Sequence, residues 1–178
     1  MSRDVVLGIG NLLLSDDGAG IHAVRYLANH YALPPSVTVV DGGTLSFSLA
    51  EFFDNTHSLI VFDAARLNDV PGTIQSLVGS QMDQYLRFKR SSVHEVSLAD
   101  LMDIARLTGH LPEKRALIAI QPAELDWGER LSQPVAESLP RAVHIACELL
   151  ADWLQVAPLS AVTCAGHPHA VSDAISNG

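Results

Sequence analysis

Cysteine is almost missing from this 178-residue chain: there are two, Cys147 and Cys164, and no CxxC pair. That excludes a disulfide-built scaffold and a thiolate zinc cluster. Positive charge is also scarce, with 11 Lys+Arg against 20 Asp+Glu and a formal net charge of -9. Such a surface repels phosphodiester backbones and anionic lipid, so neither nucleic acid nor a membrane is an expected partner. No run approaches the roughly 20 consecutive apolar residues that a bilayer span needs. No apolar signal segment opens the chain, since Arg3 and Asp4 stand directly before the first hydrophobic run. The expectation is a thiol-reduced, cytoplasmic protein.

What is present is enough apolar material for one core. The hydrophobic share is 48%, which at this length suits a single packed domain over 1–157. Residues 158–178 are small, polar and without pattern, and are expected to form a loosely held tail.

Strand-like and helix-like segments alternate. The apolar run 4–9 (DVVLGI) leads through a glycine loop into 17–32, where Ile21, Val24, Leu27 and Ala28 are spaced for one helical face. VTVV at 37–40 is a second strand closed by Asp41-Gly42-Gly43-Thr44, and LSFSLAEFF at 45–53 reads as a short helix. SLIVFDA at 58–64 is apolar enough to be buried on both faces. TIQSLV, more polar, suits an edge strand. Residues 96–108 suit a helix stopping at Gly109, RALIAIQ at 115–121 a last buried strand, and 134–154 a long closing helix in which Pro140 predicts a kink or a break. The alternation predicts an α/β three-layer sandwich around a mostly parallel sheet, because parallel neighbours need crossovers that cover the sheet faces.

In such folds ligands sit beyond the carboxyl ends of the strands. Acids stand at three of those ends: Asp16 and Asp17 after the first strand, Asp41 after the second and Asp63 after the third, while the SSVHEV segment adds His94. Carboxylates with one imidazole, and no Lys or Arg among them, suit a divalent cation better than an anion. Each also has a plainer role. Asp16 or Asp17 can cap the following helix, and Asp41 before two glycines can simply form a turn. Asp63 is harder to assign that way, since a carboxylate ending so apolar a strand needs a partner if it stays charged. His94 alone would pass for a surface loop residue. His167 and His169, in the HPH of the tail, are at most an adventitious metal site.

Familiar motifs fail. Leu13 stands where GxGxxG needs its third glycine, GxxxxGK[ST] and GxSxG are absent, and HEVSL has Leu98 where HExxH needs its second histidine. No nucleophile–base arrangement is proposed by the letters.

Six segments together carry a resemblance: VLGIGNLLLSDDGAG near the amino terminus, DGGT at 41–44, LIVFDAA at 59–65, PGT at 71–73, VHEVSLADLM at 93–102 and LIAIQP at 117–122. In this order and spacing, over about residues 4–150, the chain resembles the hydrogenase maturation endopeptidases, which trim the large subunit of nickel-iron hydrogenases. The resemblance implies a twisted five-stranded sheet between helices. It also implies removal of a carboxyl-terminal extension from the large-subunit precursor once nickel is inserted. By motif position the metal-contacting residues fall on Asp17, Asp63 and His94, with Asp16 structural. Some members have Glu where this chain has Asp17, so this carboxylate reaches one methylene less far. Two oxygens and one nitrogen leave positions open for a nickel that arrives with the substrate and its thiolates, so no resident metal is required. Asp41 is a candidate general base, and nickel either a Lewis acid or a recognition element. Two alternatives remain at this point: a non-catalytic chaperone of the same fold that binds the nickel-loaded precursor, and a mononuclear iron enzyme. Nothing in the sequence demands more than a monomer.

Overall fold

The run RDVVLG can only be a buried strand, because its apolar residues sit on both parities and no polar face remains for solvent. In the computed structural model, which describes residues 3–44, 53, 55–88, 97–161 and 171–173, it forms β1 (Arg3–Gly8) at the middle of the sheet. A 3-10 turn (Ser15–Gly18) and α1 (Ala19–His30) follow, then β2 (Val37–Asp41) and β3 (Thr56–Ala64). Next come β4 (Ile74–Val78), α2 (Ser80–Phe88), α3 (Leu98–Thr108), β5 (Lys114–Ile120), α4 (Gln133–Leu154) and β6 (Val171–Asp173).

The sheet order is β4-β5-β3-β1-β2-β6. All neighbours are parallel except β4 and β5, so the polar TIQSLV segment does lie at an edge. Five strands make the sheet implied by the sequence. A sixth, β6, comes from the stretch read as tail and pairs Val39–Asp41 with Val171–Asp173. The short helix expected at 45–53 lies outside the described residues apart from Phe53.

Alternate strand residues face opposite layers. Val6, Val39, Ile60, Phe62, Ile118 and Ile120 pack against α1 and α4. Val5, Leu7, Val40, Val61, Leu117 and Ala119 pack against α2 and α3. This is the three-layer sandwich, with one core on each side of the sheet.

The helix ends follow local chemistry. Ser97 and Asp100 form a reciprocal capping box at the start of α3, and Gly109 ends it in the left-handed region at φ 78°. α4 runs without interruption through Pro140, where a kink or break was expected. Pro140 and Ala136 both lie on the exposed side, so water can serve the Ala136 carbonyl that a proline four residues on leaves without its donor. Met82, Tyr85 and Leu86 give α2 one apolar face at i, i+3, i+4 that packs on the core, and Met82 is the residue of that helix fully buried.

Candidate active site

Where two neighbouring parallel strands send their chains to opposite faces, their carboxyl ends open a crevice. Here that point lies between β1 and β3. β1 continues into α1 on one face, whereas the chain after β3 leads through β4 to α2 and α3 on the other. The two strand ends are tied together by the Ile9 amide, which donates to the Phe62 carbonyl at 3.1 Å, while Gly10 donates to the Gly43 carbonyl of the turn after β2 at 2.9 Å. Tight packing at this edge needs glycine, because a Cβ on Gly20 would lie 2.3 Å from the Phe62 carbonyl oxygen.

Asp16 and Asp17 are sequence neighbours with opposite roles. Asp16 is fully buried and caps no helix. Its carboxylate instead accepts hydrogen bonds from the amides of Ala123, Glu124 and Ser132 at 2.7–2.9 Å and from the Ser132 hydroxyl at 2.8 Å. Burial alone would push its carboxyl up, but the donations from Glu124, Ser132 and Ala123 outweigh that and hold it below the usual range. It is a staple between the loop after β1 and the loop after β5. Asp17 is half-buried, and one of its oxygens accepts from the Asn11 amide at 2.8 Å. That bond orients the side chain across the loop that borders the crevice.

Asp63 and Asp41 part company as well. Asp63 shares the parity of Leu59 and Val61, whose side chains pack toward α2 and α3. The Tyr85 phenol of α2 senses it: burial first, then the negative charge of Asp63, push that phenol up to about 12. Asp41 shares the parity of Val37 and Val39 and faces α1. There it pairs with Arg25, whose guanidinium donates at 2.9 Å, and its other oxygen accepts from the Gly43 amide at 3.1 Å. The acid cluster therefore does contain an arginine, and Asp41 is the turn former and ion-pair partner rather than a carboxylate open toward Asp63. His22 borders this pair. Burial lowers its imidazole pKa most, Arg25 adds to that, and Asp41 opposes it.

His94 lies in 89–96, outside the described residues, as do His167 and His169. The segment joins α2 to α3, the layer that Asp63 faces. Among the described residues no group of three His, Cys, Asp or Glu side chains is placed to hold an ion, so Asp17 and Asp63 would need a further donor from elsewhere. Neither Arg25 nor Ser132 carries a signal in the local sequence pattern, since their partners lie 16 and 116 residues away. No helix among the described residues is long and apolar enough to cross a membrane.

A family model described as hydrogenase maturation protease matches residues 21–149. That span includes Asp41, Asp63 and His94 and begins after Asp17. The hydrogenase expression/formation protein HupD of Bradyrhizobium diazoefficiens is 35% identical over 153 residues, covering 85% of this chain and 80% of that protein. The hydrogenase 2 maturation protease of Escherichia coli is 31% identical over 163 residues, covering 90% of this chain and 98% of that one. The solved structure of the hydrogenase maturating endopeptidase HybD from E. coli superposes with a TM-score of 0.80 at 30% identity, over 90% of this chain and 96% of that chain.

Proposed function

The chain belongs to the hydrogenase maturation protease family, and from that premise we propose that it removes the carboxyl-terminal extension of a nickel-iron hydrogenase large-subunit precursor after nickel has been inserted. The family makes it an endopeptidase acting on hydrogenase. The finer reading concerns how the substrate is recognised: Asp17, Asp63 and His94 meet nickel that the precursor carries.

One observation supports this above the others. Asp17 and Asp63 flank the crevice between β1 and β3, and Asp63 faces the layer of α2 and α3, the two helices between which His94 falls in the sequence. Two carboxylates and an imidazole suit a borderline divalent ion whose remaining positions are filled by substrate thiolates. A precursor without nickel offers these residues nothing to bind, so cleavage follows insertion. The nickel then polarises the scissile carbonyl or positions the attacking water, while Asn11 holds the Asp17 carboxylate in place. Asp41 is a weaker choice for the general base than the letters suggested, because both its oxygens are engaged and it faces the α1 layer.

One gel tests the reading. Nickel-loaded and nickel-free precursors are each incubated with wild type and with His94→Ala. The expected result is a cut only in the loaded precursor with wild type. Equal processing of the nickel-free precursor would end the proposal.

A further inference from the structure

The loops after β1 and β5 are zipped together well beyond the Asp16 staple. Gly128 donates to the Leu13 carbonyl at 3.0 Å, Ser15 donates through its amide to Gly128 at 2.7 Å and through its hydroxyl to the Asp126 carbonyl at 3.0 Å. Gly128 permits this approach, since a Cβ there would lie 2.6 Å from the Ser15 hydroxyl oxygen. From this braced rim three apolar side chains stand in water: Trp127 is 82% exposed, Leu13 49% and Leu125 40%.

A tryptophan held in solvent on a loop with a buried carboxylate brace does nothing for the isolated fold. Tryptophan dominates binding energy when it enters a partner's pocket, and a braced loop loses little freedom on docking. We propose that Trp127, with Leu13 and Leu125, is an exosite that docks the folded body of the hydrogenase precursor while its tail lies in the β1/β3 crevice; this rests on the function proposed above. Position supports that occupant. Leu13 is on the loop that carries Asp17, so a protein presenting its scissile bond at the crevice has this rim beside it. Charge speaks against a second copy of this chain. Glu124, Asp126 and Glu129 are exposed around Trp127 and outnumber the one exposed cation nearby in the chain, Arg130, so a two-fold contact through the patch would set a net negative charge against itself. The surface suits an apolar patch bordered by basic groups.

The test measures processing of nickel-loaded precursor against its concentration for wild type, Trp127→Ala and Trp127→Phe. Leu107→Ala serves as the control, because Leu107 is 87% exposed near the end of α3, at the opposite rim. Trp127→Ala is expected to raise KM at least tenfold, Trp127→Phe to restore part of the loss, and Leu107→Ala to match wild type. The chain has two tryptophans, so 5-fluorotryptophan in a Trp153→Phe enzyme reports on Trp127 alone. Its fluorine signal should show full solvent isotope sensitivity in the free enzyme and lose it when precursor is added. An unchanged KM in Trp127→Ala overturns the exosite. So does a fluorine signal already shielded in the free enzyme, which would mean that this chain covers the patch, or Trp127-dependent self-association in sedimentation. A wild type that cuts no loaded precursor overturns the function beneath it, and the exosite with it.

Discussion

Asp41 and Asp63 end two strands that flank the same central one, and in the sequence each looks like an acid closing an apolar run. Gly8 of β1 is level with Asp41 on one side and with Phe62 on the other. Asp63 therefore stands one residue further along and, by strand parity, on the other face. The α1 side is closed: Asp41 is neutralised by Arg25 and tied to its own turn. On the α2/α3 side the charge of Asp63 is felt by the Tyr85 phenol, and His94 falls in the sequence between the two helices of that layer. An acid at a strand end thus acquires its role from the layer it faces, and one residue of register decides which.

The most severe way to break this contrast is on the α2/α3 side. Asp63→Asn is nearly isosteric and should lower processing of loaded precursor at least 1000-fold, about 4 kcal/mol of transition-state stabilisation, with melting close to wild type. A variant that still cuts would remove Asp63 from the site. Next comes the staple. Asp16→Ala takes the acceptor from three amides and a hydroxyl, and at about 1–3 kcal/mol for each buried group left unsatisfied, with partial rehydration, about 3 kcal/mol is expected. For a domain of this size that lowers Tm by about 10 °C. Calorimetry reads it directly, and a Tm shift under about 2 °C would show that the loops hold without it.

The same staple predicts acid sensitivity. Asp16 is held below the usual carboxylate range when folded, so it stabilises the fold only while ionised. Its contribution is complete above the unfolded pKa near 4 and disappears as pH falls through the lower folded value. Asp83 adds to this in the same direction. Its hydrogen bonds from Arg115, opposed by burial and aided by the charges of Arg115 and Arg106, hold it low as well. Wild type should therefore lose stability between about pH 4 and 2, and Asp16→Ala should lose less over that window. Parallel curves for the two proteins would remove Asp16 from the acid response.

Much of this fold was legible because the strands are apolar on both parities and the glycines mark their ends. The roles of Asp16 and Asp17 were separable only in part. A helix-capping reading fits both by spacing, yet Asp16 bonds to residues more than 100 positions away, a distance at which local pattern carries no information. The side to which Asp41 turns was hidden for a related reason: parity within one strand is visible, but the layer each parity meets depends on how the crossovers pack. α2 escaped notice because its nine residues hold a single i, i+3, i+4 set, Met82, Tyr85 and Leu86, which is shorter than the window over which a helical period is read.

The smallest expected effect falls on the closed side, and it decides whether that side is closed. Arg25 is 48% exposed in its side chain while Asp41 is 9% exposed, so solvent screens one partner and the pair contributes about 0–1 kcal/mol. Asp41→Asn keeps an acceptor for the Gly43 amide and loses only the charge. Arg25→Ala leaves Asp41 charged, with the Gly43 amide still donating to it, and should cost slightly more. Combined, the two should cost less than the sum of the singles, because each removes the same interaction. Processing of loaded precursor should stay within about threefold of wild type in all three. A loss of turnover of 100-fold or more in Asp41→Asn, with precursor binding unchanged, would make Asp41 the general base after all. The carboxylate would then have to leave Arg25 and reach the crevice past the edge of its own strand.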